Sequence, residues 1–252
     1  MTTTHNFEGR VFVVTGSARG LGYAMAKRLV ASNARVVLTD IDEAAVENAA
    51  AELGEAAHPR VSNIEETEAL PELVEDIEHQ IGPIFGLVNN AGIFNKKAGW
   101  EISDEEWETI LRINLSGSMA MTRECLRYMR PRKEGAIVMI SSLAGLAGLP
   151  TSIGYVTTKT AVIGMARSLA TDLGPDNIRC NAICPGVIDT EMTRKVFHGD
   201  PGRLAKLQSR ISLPRLAQPE EIASMVAFLC SDDAAYVTGQ AIAVDGGFAA
   251  GL

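Results

Sequence analysis

Short runs of β-branched and aliphatic residues alternate with longer amphipathic stretches from one end of the chain to the other. Val11–Thr15, Arg35–Thr39, Ile84–Val88, Ala136–Ile140, Ile178–Ile183 and Ala241–Val244 read as strands, with Pro59–Ser62 a weaker candidate. Most are apolar at consecutive positions, as a strand must be when both of its faces are covered. The stretches between them follow a helical period. Leu21, Met25 and Leu29 share one face, and Ser103 with Glu106 reads as a capping box opening a helix with Trp107, Ile110 and Leu111 inward. Strand and helix in repeated alternation require right-handed crossovers and predict an α/β fold: a doubly wound parallel β-sheet with helices on both faces. No repeat or Pro/Gly/Ser-rich linker interrupts the pattern, so residues 1–252 are expected to form a single domain.

Composition narrows the function classes. With 46% apolar and 21% charged residues the chain is ordinary globular protein, which excludes a disordered or low-complexity chain. A net charge of −8 argues against nucleic acid as a partner. No apolar stretch reaches the roughly 18 residues of a membrane span, and Met1–Asn6 lacks the basic start and apolar run of a secretory leader. Cys125, Cys180, Cys184 and Cys230 are too scattered for a disulfide framework and read as reduced thiols. His5, His58, His79 and His198 show no metal-ligand spacing. A cytoplasmic protein without a metal is expected.

The first strand runs directly into Thr15-Gly16-Ser17-Ala18-Arg19-Gly20-Leu21-Gly22, and a helix follows. Strand, glycine turn and helix N-terminus make an anion cradle, because backbone N–H groups and the helix dipole favour negative charge there and glycines permit close approach. The second strand ends at Asp40, about 18 positions after Gly22. An acid there accepts from ribose hydroxyls and repels a 2′-phosphate, which favours NAD over NADP. Two readings remain open. Arg19 could attract a 2′-phosphate, and Asp42 lies close enough that either acid could instead cap the next helix.

Tyr155 and Lys159 are four apart in a helical stretch and therefore share a face, which continues through the apolar Val162, Ala166, Leu169 and Leu173. An ammonium beside a phenol is expected to lower the phenol's pKa, readying it to exchange a proton with an alcohol. Ser142 lies at the end of the Ala136–Ile140 strand, where α/β sheets bind ligands, and Ser141 is its rival for holding a substrate oxygen. Asn114 follows Trp107 and Leu111 on the inward stripe; it is either a structural tie or a post holding water near Lys159.

With those residues in place, the chain resembles the short-chain dehydrogenase/reductase family over nearly its whole length, with a Rossmann-type fold. The resemblance rests on Thr15-Gly16…Gly20-Leu21-Gly22, Asn89-Asn90-Ala91-Gly92, Asn114, Ser142, Tyr155-x3-Lys159, Pro185-Gly186-Val187-Ile188-Asp189-Thr190 and Val244-Asp245-Gly246-Gly247. It implies a catalytic tetrad of Asn114, Ser142, Tyr155 and Lys159. It also implies cofactor contacts from Gly16, Ser17, Arg19, Gly20, Leu21, Gly22, Asp40, Asn63, Ile64, Asn90, Ala91, Gly92, Tyr155, Lys159, Pro185, Gly186, Ile188 and Thr190. Among these, Lys159 grips the nicotinamide ribose, and Ile188 and Thr190 meet the carboxamide. Asn63-Ile64 departs from the family's Asp-apolar pair at the adenine amino group, although an Asn carbonyl can still accept that hydrogen bond. Pro219–Ile222 and Ala241–Leu252 resemble subunit-pairing parts, implying a homotetramer.

The expected reaction is NAD(H)-dependent hydride transfer between nicotinamide and a secondary alcohol or ketone of polyol, sugar or hydroxy-acid type. The alternatives are a 3-oxoacyl-thioester reductase using NADPH, which Asp40 opposes, and a non-catalytic dinucleotide-binding sensor, which the intact tetrad opposes. A substrate cover is expected at about 190–215. There Arg194, Lys195, Arg203, Lys206, Arg210 and Arg215 outnumber Glu191 and Asp200; with Lys96 and Lys97 they could draw in an anionic substrate or form a solvated face. Phe94, Leu143, Leu149 and Phe197 are candidates to line an apolar pocket or simply to pack.

Overall fold

A computed structural model describes residues 5–198 and 201–251. Residues 1–4, Gly199, Asp200 and Leu252, and the side chains of Met192, Val196, Pro201 and Arg203, fall outside that description, and with them parts of the leader, cover and subunit-pairing expectations. The strands are β1 (Val11–Thr15), β2 (Arg35–Asp40), β3 (Ala57–Val61), β4 (Ile84–Asn89), β5 (Gly135–Ile140), β6 (Ile178–Pro185) and β7 (Ala241–Val244). They form one parallel sheet in the order β3-β2-β1-β4-β5-β6-β7. β3 starts two residues before the weak Pro59–Ser62 candidate. Its Pro59, which has no N–H to give a ladder, is tolerated because β3 is an edge strand.

The helices are α1 (Gly20–Val30), α2 (Glu43–Leu53), α3 (Leu70–Asp76), α4 (Asp104–Leu111), α5 (Ser118–Arg132), α6 (Ile153–Leu173), α7 (Glu191–Phe197), α8 (Pro201–Gln208) and α9 (Pro219–Cys230). Successive residues of β1 explain the unbroken apolar runs. Phe12 and Val14 pack with Met25, Leu29, Val46 and Val226 of α1, α2 and α9, whereas Val11 and Val13 pack with the α3, α5 and α6 side. Burying both faces of the central strands supplies the main driving force for this architecture, while the edge strands β3 and β7 are only partly covered. Among the described residues no helix is long and apolar enough to cross a membrane. All four cysteines are free and buried.

The Ser103–Glu106 capping box is present, with both reciprocal bonds made. Of the three residues expected inward on α4, Ile110 is buried, while Trp107 and Leu111 are half-buried. α4 passes into a π-helical turn, Arg112–Gly117, whose extra residue rotates the following side chains, and this turn carries the buried Asn114. The strand order reverses between β1 and β4, so their carboxyl ends open a crevice at the topological switch point. The sequence-predicted chemistry gathers there.

Candidate active site

The glycine loop leaves β1 at the switch point. Gly16 and Gly20 have φ of +62° and +57°, a left-handed conformation that side chains resist. A Cβ on Gly22 would overlap the Gly16 carbonyl oxygen and lie 2.7 Å from Asn90 Nδ2, so α1 can press onto the loop only through a glycine. Arg19 occupies the N-cap position of α1 without a side-chain cap bond. The amides of Gly20, Leu21 and Gly22 therefore begin the helix without a side-chain acceptor, the arrangement that receives a diphosphate. Ser17 is fully buried; its hydroxyl donates to the Val14 carbonyl at 2.8 Å and its amide to Thr39 O at 3.1 Å, so it shapes the loop from behind. Asn90, expected along the cofactor, donates its amide to both Thr15 O and Gly16 O at 2.9 Å. Thr15, part of the glycine-loop signature but with no role assigned from the sequence, accepts at its hydroxyl from the amides of Asn90 and Ala91 at 3.0 Å and locks β1 to the end of β4.

Asp40 and Asp42 separate cleanly. Asp40 Oδ2 accepts from the Ala18 amide and Oδ1 from the Asp42 amide, both at 3.2 Å, which holds its carboxylate against the glycine loop. Asp42 is the N-cap of α2, its Oδ1 accepting from the Ala45 amide at 3.1 Å. Beyond Asp40, at the ends of β2 and β3, lies a cleft of about 310 Å³ walled by Ile41, Val61, Asn63, Ala69 and Leu73. An apolar Ile41 between two aspartates was the available sequence signal for this apolar wall. Asn63 accepts from the Glu65 amide and donates to Glu66 Oε1, and Ile64 packs behind it, against Gly117. An anion cradle, a carboxylate at its rim and a flat-walled cleft beyond form a set that a dinucleotide fits.

Tyr155 and Lys159 stand on consecutive turns of α6 as the spacing predicts. Lys159 is only 5% exposed; its Nζ donates to the Ile140 carbonyl at 2.8 Å and lies 5.7 Å from the centroid of the Tyr155 ring. Burial pulls the Lys159 pKa down to about 8, against an opposing effect of Cys184. The expected lowering of the Tyr155 pKa is not found. Burial raises it, and a hydrogen bond with Ser142 offsets only part of that rise. The reason is geometric: the ammonium is tied to a carbonyl and sits toward the ring, where it does little for the phenol oxygen, so desolvation prevails.

The two serines also divide. Ser141 is buried and donates to the Lys159 carbonyl at 2.7 Å, anchoring α6 to β5. Ser142 is the serine that acts on the Tyr155 phenol, easing the rise of its pKa, and its Oγ accepts from the Ala144 amide at 3.1 Å. Phe94 packs edge-on against Tyr155 at 5.1 Å between centroids, while Leu143 is buried with Ile211 and Phe248. Asn114 Oδ1 accepts from the Ile93 amide at 2.8 Å, and its Nδ2 donates to the Ile93 carbonyl at 2.9 Å and to Thr158 Oγ1 at 3.2 Å. The tie is therefore present. Gly92 lies between this amide and Lys159: a Cβ there would be 3.1 Å from Asn114 Oδ1 and 3.6 Å from Lys159 Nζ.

At the far wall, Pro185 ends β6 and Gly186 crosses so close to Asp245 that a Cβ would lie 2.7 Å from its Cα. Ile188 is buried and bridges Ala217, and Thr190 caps α7 by accepting from the Thr193 amide at 3.2 Å. The cations expected to converge on substrate are largely paired: Arg194 with Asp189, Lys195 with Glu191, Arg215 with Glu221 and Lys97 with Glu106, at 2.6–3.2 Å. Arg210 stacks on Phe248 at 4.5 Å. The solvated-face reading of this segment accounts for them.

The comparisons agree with this layout. A family model described as enoyl-(acyl carrier protein) reductase matches residues 16–249. The 3-oxoacyl-(acyl-carrier-protein) reductase of Aquifex aeolicus is 38% identical over 244 residues, covering 95% of this chain and 97% of that one. A crystal structure of a putative short-chain alcohol dehydrogenase from Sinorhizobium meliloti superposes with a TM-score of 0.93 at 32% identity, covering 98% of this chain and 99% of that one. One of a putative gluconate dehydrogenase from Agrobacterium tumefaciens gives 0.93 at 31% identity, covering 97% of each. With motif order, strand order and full-length likeness in accord, the chain belongs to the short-chain dehydrogenase/reductase family of oxidoreductases.

Proposed function

We propose that the protein is an NAD(H)-dependent oxidoreductase interconverting a secondary alcohol and its ketone, with Tyr155 as the proton-exchanging group. The observation that carries this reading is the placement of Tyr155 on the α6 turn beside the buried Lys159, whose Nζ lies 5.7 Å from the centre of the Tyr155 ring, at the switch-point crevice that the glycine loop opens. The bound nicotinamide supplies or accepts the hydride. Gly20–Gly22 hold the diphosphate, Asp40 the adenosine ribose hydroxyls, and the Ile41–Leu73 cleft the adenine. In reduction, Tyr155 gives its phenolic proton to the carbonyl oxygen and Ser142 steadies that oxygen as its charge changes. In oxidation Tyr155 must first lose its proton, and its phenolate then takes the proton of the alcohol. Lys159, held by the Ile140 carbonyl, keeps a positive charge at the base of the site, and Asn114 fixes the loop that carries Gly92. Family likeness extends the reading to a homotetramer.

A 3-oxoacyl-thioester reductase is the second reading, favoured by the printed name of the Aquifex aeolicus relative. Asp40 at the end of β2 weighs against its usual NADPH. Assays of alcohols, ketones and 3-oxoacyl thioesters with NAD(H) and NADP(H) side by side decide between them. The first reading expects turnover of free ketones with NADH. Activity confined to thioesters with NADPH would replace it with the second.

A further inference from the structure

Asp42 has a second engagement besides its cap. While Oδ1 receives the Ala45 amide, Oδ2 lies 3.8 Å from the Arg19 guanidinium. Arg19 is a cation within the glycine loop itself, 64% exposed at its side chain, next to Ala18, whose amide is bound by Asp40. Glu191, at the start of α7, also faces it: Lys195 first, and Arg19 more weakly, hold the Glu191 carboxyl below its usual range. Arg19 is thus placed beside the rim where Asp40 would meet the ribose, and is surrounded by carboxylates.

Resting on the reading of this site as a dinucleotide cradle, we infer that Asp42 is a specificity-determining residue: by pairing Arg19 it withdraws the glycine-loop cation from a 2′-phosphate. Asp40 and Asp42 then do different things. Asp40 repels the 2′-phosphate directly and accepts from a ribose hydroxyl, whereas Asp42 keeps Arg19 from compensating for that repulsion. The chemistry recognised by a released Arg19 is a phosphate monoester on the adenosine ribose, to which a guanidinium offers two parallel donors.

The two engagements of Asp42 can be separated by substitution. Asn and Ser are N-caps comparable to Asp, so Asp42→Asn and Asp42→Ser retain the α2 cap while removing the charge. Calorimetric titration with adenosine 2′,5′-bisphosphate and with 5′-ADP reads the effect without turnover. Both variants are expected to bind the 2′,5′-bisphosphate about fivefold tighter than wild type, the upper worth of an exposed ion pair, with 5′-ADP affinity within about twofold. Adding Arg19→Ala to Asp42→Asn is expected to abolish the gain. An unchanged 2′,5′-bisphosphate affinity in both capped variants, or a gain that persists without Arg19, would overturn the inference. Wild type binding the two nucleotides equally well would instead count against the NAD(H) reading, and so the two failures are distinct.

Discussion

Asn114 and Ile93 grip each other in both directions: the side-chain oxygen takes the Ile93 amide at 2.8 Å and the side-chain nitrogen gives to the Ile93 carbonyl at 2.9 Å. Ile93 lies beyond the end of β4, and among the described residues no strand pairs with it. The Asn114 side chain, 99% removed from solvent by its position on the π-helical turn, substitutes for a strand partner. Removing it takes both bonds from the partly buried Ile93 amide and carbonyl, and a third from the buried Thr158 hydroxyl. We expect Asn114→Ala to destabilise the protein by about 2–4 kcal/mol in denaturant unfolding, well above an ordinary surface substitution. A change below about 0.5 kcal/mol would show that the clasp contributes no net stability.

Lys159 is held charged against its burial. Its pKa in the folded protein, about 8, lies below the ordinary 10.5, so the folded state binds protons less well than the unfolded state. The resulting destabilisation is fully present below pH 8 and fades as pH rises from 8 toward 10.5. Relative to Lys159→Met, wild type should gain about 3 kcal/mol of unfolding stability between pH 7 and pH 10.5. Paired denaturation curves at the two pH values check this. A stability difference independent of pH would mean that Lys159 titrates normally.

Because burial raises the Tyr155 pKa above its ordinary 10.0, the phenol of the cofactor-free protein is protonated throughout the neutral range. It is poised to give a proton, the role needed for ketone reduction. In the cofactor-free protein, the ultraviolet phenolate signal of wild type minus that of Tyr155→Phe should rise only above pH 10. A difference signal titrating near pH 7 would restore the lowered pKa that the Tyr-Lys spacing alone suggests.

Much of this was legible in the residue order, for physical reasons that also mark where legibility ended. Strands buried on both faces, such as Val11–Thr15, announce themselves as unbroken apolar runs, whereas the edge strand β3, with Pro59 in its middle, does not. The Tyr155/Lys159 pairing follows from helical spacing, but the direction of the tyrosine pKa depends on desolvation and on where Nζ is tied, which no spacing encodes. The Trp107–Leu111–Asn114 stripe looked like one regular helix because a π turn changes the period by a single residue. The basic excess around 190–215 looked unbalanced because Asp189 and Glu221, which pair Arg194 and Arg215, lie just outside that window. Choosing between Asp40 and Asp42, and between Ser141 and Ser142, required hydrogen-bond partners that only three dimensions supply.

The most direct test of the account is the single-turnover rate of ketone reduction in Tyr155→Phe, using a ketone identified with the wild-type enzyme and NADH, alongside NADH affinity by fluorescence. Phenylalanine keeps the ring, its edge contact with Phe94 and the neighbouring Lys159, and removes only the phenolic hydroxyl. The predicted result is a fall of about 10²–10⁴-fold in the chemical step, with the NADH dissociation constant within about twofold of wild type. An unchanged chemical step would contradict the assignment of Tyr155 as the group that moves the proton.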